Sequence, residues 1–259
     1  MPTPFTHLAI ARRMLSDEHI PSAIRADLCR VPDAFHLGQI AADGHFLAGR
    51  ERVETHFYKY NDIPDEAPWR MMMQTYPALW EETSDDARGF LGGYIAHLAV
   101  DEYWARHMAS PHFGYGDWGT TQSRFVMLNV LLILMDMRDY TVITEPDSVR
   151  ETLSAQLGAA QPDHWLPFLP DSALCEWRDI IHRQIKPGGH SETFEIIAPR
   201  LGSGWTIERL QSVLADEKSL EKDLWAYIPK TLHAQVEAGM YTYAREQLIA
   251  YWAAGDKLI

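Results

Sequence analysis

The chain is poor in cysteine, with only Cys29 and Cys175 among 259 residues. They lie far apart and form no C-x-x-C pair, so neither a disulfide framework nor a thiolate zinc site is expected, and a reducing, cytoplasmic setting fits. Basic residues are scarce as well. Lys and Arg number 23 against 36 Asp and Glu, a formal net charge of −13, and that field repels a phosphate backbone, which excludes duplex nucleic acid as a partner. Bound divalent ions reverse the sign locally, so a small anionic substrate at a metal site is compatible with the acidity. No apolar run is long enough for a transmembrane segment: the longest, Phe125 to Met137, is interrupted by Asn129 and Asp136 and is too short to cross a bilayer. Met1 to Asp17 places His7, Arg12 and Arg13 inside its apolar stretch, so no export signal is expected. Strand signals, internal repeats, heptads and low-complexity tracts are all but absent, leaving Tyr140 to Thr144 as the one candidate extended piece.

What is present is a large apolar complement, 46% hydrophobic with 9 Trp, 11 Tyr and 9 Phe, sufficient for a sizeable core. The periodicity predicts an all-α, multi-helix bundle. Pro2 and Pro4 precede a first helix that carries His7, and Phe35 to Phe46 has the small and apolar residues of a helix running through the core. Ser84 to Met108 is opened by a Ser84-Asp85-Asp86 cap and aligns Gly93, His97, Asp101 and Trp104 on one stripe. Further helices are expected over Thr121 to Arg138, Asp147 to Leu157, Asp171 to Arg183, Thr206 to Ala226 and Thr231 to Ala254. Ala48 to Pro68, with Asn61-Asp62-Ile63-Pro64 as a turn signal, reads as a long, partly ordered loop. Residues 1–140 are expected to form a metal-binding helical core and 141–259 a helical second half packed on it, as brace or cap. Met71-Met72-Met73, Trp104, Trp118 and Trp165 are expected to pack in the core.

His97 and Asp101 are four residues apart and therefore project from one helical face, within reach of a single ion. Taken alone, the pair is explained as well by a buried histidine bonded to an aspartate on the next turn. Asp43, in Gly38-Gln39-Ile40-Ala41-Ala42-Asp43, sharpens the question, because a lone carboxylate in so apolar a run costs several kcal/mol unless a cation or donor compensates it. His7 and His56, in Thr55-His56-Phe57, add two further nitrogen donors. Imidazoles and carboxylates without cysteine favour Zn2+ or a similar divalent ion, and this set suffices for two ions with one carboxylate bridging.

Four stretches, Thr6-His7-Leu8, Leu37 to Asp43, Thr55-His56-Phe57 and Gly93 to Asp101, resemble in order and approximate spacing the zinc-dependent phospholipase C superfamily, which shares its fold with single-strand-specific nucleases. The resemblance covers about the first 110 residues. It implies a metal site between central helices, with Asp43, His56, His97 and Asp101 around one ion, His7 and Asp101 on a second, and Asp43 orienting or deprotonating the attacking water as the catalytic residue. It also implies His107 as a ligand, in H-x3-D-x5-H, of a third ion completed by a later H-x3-E; neither His112 nor His190-Ser191-Glu192 supplies that motif. In secreted members the mature N-terminus completes the second site, whereas here His7 lies only five residues after Pro2. Arg52 and Lys59 are candidates to contact substrate oxygens. The expected activity is phosphoester hydrolysis. The alternatives are a lyase or cyclase acting on a small apolar metabolite at the same scaffold, and a non-catalytic binding protein whose histidines serve the core.

Overall fold

The computed structural model describes residues 1–255 except 61, 82 and 83. Thirteen α-helices form an all-α bundle, and no strand occurs among the described residues. In chain order they are α1 (Pro4–Ser16), α2 (Ser22–Arg30), α3 (Pro32–Ala41), α4 (Val53–His56), α5 (Pro68–Thr75), α6 (Asp85–Trp104), α7 (Thr121–Thr144), α8 (Asp147–Ala159), α9 (Asp171–Ile185), α10 (Thr193–Ile197), α11 (Ile207–Ala215), α12 (Glu217–Leu220) and α13 (Lys230–Gly255). None of the described helices is long and apolar enough to cross a membrane.

The central element is α6. Ser84 caps it by accepting from the Ala87 amide at 3.1 Å, and Asp85 and Asp86 face the positive end of the helix dipole. From Phe90 to Glu102 every side chain is buried, so the helix is enclosed on all sides. On one face, α3 approaches so closely that a Cβ at Gly38 would lie 2.0 Å from the Phe90 carbonyl oxygen, and one at Gly93 would lie 2.2 Å from that of Phe35. Only glycine permits this contact, and it brings the α3 backbone beside the next turn of α6, where His97 stands. On another face Gly92 receives the Trp252 ring of α13. The Thr6 hydroxyl donates to Asp139 at 2.6 Å, which ties α1 to α7, and the Trp177 indole on α9 donates to the Ile40 carbonyl at 2.7 Å. Residue 140 falls inside α7, α13 packs directly on α6, which carries His97 and Asp101, and α9 packs on α3 and on the turn after it that carries Asp43.

Several boundaries differ from the sequence-based expectation. Tyr140 to Thr144 is the last turn of α7, not extended chain; the Tyr140 hydroxyl donates to the Gln184 carbonyl at 2.8 Å, and tertiary packing overrides the β-propensity of the segment. Helix α3 tightens after Ala41 into a 3₁₀ turn, Ala42–Ala48, which swings Asp43 out of the helical register. Past Trp104, α6 widens into a π-type segment, Ala105–Gly114, with Pro111 inside it. The expected helix from Thr206 to Ala226 breaks at Asp216, whose carboxylate accepts from the Ser219 amide and starts a new turn. Within the Ala48 to Pro68 stretch, α4 is ordered and ends at His56, with Phe57 in the left-handed region at φ 63°. Asn61 of the expected turn lies outside the described residues. Trp104, Trp165, Met72 and Met73 are in the core, and Trp118 is half-buried, stacked on Tyr227.

Candidate metal centre

Side chains from four separate elements converge beside the α3–α6 contact. Ligand atoms of Asp43, His56, His97 and Asp101 all lie within 4.8 Å of one another. The Nε2 of His56 is 3.5 Å from Asp43 Oδ1, 3.2 Å from Asp101 Oδ2 and 3.3 Å from His97 Nε2. His97 Nε2 is 3.4 Å from the same Asp101 oxygen. Donor atoms about 2.0–2.2 Å from a common ion stand about 3.3–3.6 Å apart at tetrahedral corners, so these separations suit a shared cation. They are long for hydrogen bonds, and neither Asp101 oxygen has a hydrogen-bond partner although the side chain is wholly buried.

The neighbours fix which nitrogen of each ring faces inward. His97 Nδ1 is 2.8 Å from the Gln39 carbonyl, so its hydrogen is committed there and Nε2 carries the lone pair. His56 Nδ1 lies 3.0 Å from the Thr55 hydroxyl and 3.3 Å from the Arg52 carbonyl. That hydroxyl is within 3.1 Å of the Ala42 and Arg52 carbonyls, to which it donates, leaving its oxygen free to accept from His56. With both rings neutral, two inward lone pairs face each other 3.3 Å apart, and a positive charge between them relieves the repulsion, either a metal ion or the proton that the raised His97 pKa favours. The donor set therefore fits a metal ion.

His7 approaches from α1. Its ring stacks on His97 with centroids 4.0 Å apart, and its Nε2 is 3.4 Å from Asp101 Oδ1, the oxygen not facing His56 and His97. Both His7 nitrogens are buried without partners. The two oxygens of Asp101 thus address two groups of nitrogens, as a bridging carboxylate does. Burial pushes the His7 pKa down, with the neighbouring His97 adding to the effect. For His97 burial acts the same way, but the Asp101 carboxylate outweighs it and the pKa lies above the ordinary value. Burial alone would raise Asp101; the facing imidazoles, His97 foremost, hold it well below the usual range. Asp43 is lowered in the same manner by His56 and His97 against its own burial.

His107 is not among these groups. It sits on the widened segment after α6, exposed, with its ring on Tyr103 at 4.2 Å. Lys59 is also exposed. Arg52, by contrast, points a guanidinium nitrogen to within 3.5 Å of Asp101 Oδ2 and lies over the Tyr60 ring at 4.3 Å. A later H-x3-E does exist, His233 to Glu237 on α13, which a search for the motif would have found. It lies outside the cluster, and Glu237 is bound by Arg138 at 2.6 and 2.9 Å.

Asp43 is the one member with access to solvent, its side chain 24% exposed, and it lines a cavity of about 830 Å³. The walls are largely apolar, with Phe5, Phe113, Phe125, Leu128, Leu132 and Trp177, and the polar lining includes Arg52, Arg200 and Asp136. Phe46, Tyr60, Tyr115, Phe125 and Ile196 are exposed and also border this cavity. Comparison with protein-family models, curated proteins and solved structures finds no match for this chain.

Proposed function

We propose that the protein is a metal-dependent hydrolase, similar to the zinc-dependent phospholipases C, that cleaves a phosphoester bearing an apolar organic group. The observation that carries this reading is the convergence of Asp43, His56, His97 and Asp101, whose ligand atoms lie within 4.8 Å of one another, with the His56 and His97 Nε2 atoms 3.3 Å apart. When bound at this donor set, divalent ions, zinc foremost and two by the split of Asp101, polarise a phosphoryl oxygen and acidify a water.

The chain's own residues supply the rest. Asp43, at the border between cluster and cavity, orients the water and takes its proton as the oxygen attacks phosphorus. The bond from phosphorus to the leaving oxygen breaks, and the departing alcohol recovers a proton. Arg52 and Arg200 line the cavity and would neutralise phosphoryl oxygens, Arg52 donating to the Tyr58 hydroxyl at 3.2 Å. The apolar walls take the organic group and exclude water. A lyase or cyclase working on an apolar metabolite would use the same walls but has no need of two arginines.

The test is hydrolysis of p-nitrophenyl phosphomonoester and phosphodiester by zinc-loaded protein. Turnover lost on chelation and restored by zinc is expected, and Asp43→Asn should lower kcat by about 10²-fold or more, the usual contribution of a positioned base. Full metal occupancy with no turnover of either ester refutes the proposal.

A further inference from the structure

A second cavity, of about 1000 Å³, is walled by α1 and α8, and no residue of the metal cluster lines it. Helical period sets its sides. Thr6, Ala9, Ile10 and Arg13, spaced i, i+3, i+4 and i+7, form one stripe of α1, and Val149, Thr152, Leu153 and Gln156 form one stripe of α8. Helices α3 and α7 each pack on both α1 and α8, and with α13 they complete the lining. Most of the lining is apolar, with Ile10, Val149, Leu153 and Met240 beside Val142 of α7, and the protein leaves Val142 45% exposed.

The charges of the wall do not cancel. It carries three arginines, Arg12, Arg13 and Arg138, and two carboxylates, Asp139 and Glu237. Arg138 takes up both carboxylates, donating to Asp139 at 2.8 Å and to Glu237 at 2.6 and 2.9 Å. Arg12 and Arg13 remain. Both are exposed, and among the described residues neither side chain donates a hydrogen bond or pairs with a carboxylate. Arg13 lies over the Tyr241 ring at 3.5 Å, a contact that holds the guanidinium in the wall without neutralising it. Asp17, one turn on from Arg13, is engaged elsewhere, by the Tyr241 hydroxyl at 2.7 Å and by Arg245 at 3.2 Å. The wall therefore carries 3 − 2 = +1 in a chain of net charge −13, and the surplus rests on two open, solvent-reachable guanidinium groups.

We propose that this cavity binds a small amphiphilic monoanion, an alkyl carboxylate, at a site separate from the metal centre. The carboxylate accepts from Arg12 and Arg13, whose forked donors match its two oxygens, and the alkyl chain lies along the aliphatic wall. One surplus positive charge balances a monoanion and leaves a phosphate dianion half compensated. The volume is that of a small-molecule site and excludes a folded partner. An alkylammonium meets two uncompensated cations, and a neutral alkyl chain leaves them unanswered. The proposal shares no residue with the phosphoesterase reading and does not depend on it.

Calorimetry of hexanoate, octanoate and decanoate binding to the full chain tests it, with decanol and decylammonium as controls. One equivalent should bind, tightening by up to about fourfold for each methylene buried. Decanoate should bind at least about tenfold more tightly than decanol, the lower end for hydrogen bonds to a charged group. The double variant Arg12→Gln, Arg13→Gln should bring decanoate to within about threefold of decanol. Val142→Trp, which fills the cavity from an exposed position, should weaken decanoate and decanol alike by more than tenfold. All three substitutions are at exposed positions, and circular dichroism confirms that the variants fold. Arg200→Gln distinguishes the two cavities, because Arg200 lines only the one beside the metal cluster, and it should leave decanoate binding unchanged. Equal affinity for decanoate, decanol and decylammonium overturns the site, as does binding that survives Val142→Trp. Decanoate binding lost in Arg200→Gln but kept in the double variant also overturns it. Turnover is read in no arm, so none of these outcomes bears on phosphoester hydrolysis.

Discussion

Asp101→Asn isolates the metal hypothesis most cleanly. The substitution keeps shape and volume but removes the negative charge that three imidazole nitrogens face at 3.2–3.4 Å. Metal that binds only the folded state stabilises it by RT ln(1 + [L]/Kd), about 2.7 kcal/mol at a free concentration a hundred times Kd. With an unfolding entropy of about 2.1 cal/mol/K per residue, a chain of 259 residues converts that gain to a rise in Tm of about 5 °C. Wild-type protein freed of metal and titrated with zinc should show this rise in differential scanning calorimetry, and elemental analysis should find the ion bound. In Asp101→Asn the rise should shrink to about 1 °C or less, because the shared ligand of both nitrogen groups no longer carries charge. A wild type that neither binds zinc nor gains stability from it refutes the reasoning. So does an Asp101→Asn protein that holds as much metal, as tightly, as the wild type.

Gly93→Ala should destabilise by up to about 3 kcal/mol, since the new Cβ meets backbone at 2.2 Å and overpacking outweighs the roughly 1 kcal/mol gain in helix propensity. The same shift separates His97 from the Gln39 carbonyl, and zinc titration should show affinity falling about 10–100-fold. His36 is buried, and burial, outweighing the Pro32 carbonyl and Asp33, holds its pKa at about 4. A lowered base keeps its stabilising effect above the unfolded pKa and loses it below, so about 3 kcal/mol should disappear between about pH 6.5 and 4; urea unfolding of His36→Leu should show a correspondingly shallower acid loss. Asp136 has the opposite sign: its raised pKa of about 6 penalises the folded state fully above that pH and not at all below about 4. Asp136→Asn should therefore gain about 2–3 kcal/mol at pH 8 and close to nothing at pH 4, and equal effects at both pH values would contradict the assigned shift.

The sequence alone determined what is local. Helical period put His97 and Asp101 on one face of α6, Ser84 marked where that helix begins, and the acidic composition set the charge a phosphate ligand must overcome. Asp43, a carboxylate at the end of the apolar run from Gly38, signalled an unmet electrostatic cost, and the same argument applied to Asp136, one of the two polar breaks in the Phe125 to Met137 run, would have singled it out too. Only the tertiary structure decided what depends on backbones meeting. Glycines at positions 38 and 93 let α3 touch α6, which delivers the Gln39 carbonyl to His97; the 3₁₀ turn after Ala41 swings Asp43 toward His56; and α1, tied to α7 by Thr6, carries His7 to the second oxygen of Asp101. His107 obeys the motif spacing yet stands outside on a widened turn. The reason is physical: spacing along a helix fixes an angle about one axis, whereas a metal site needs several axes placed to within an ångström, and that placement comes from packing distributed over the whole chain.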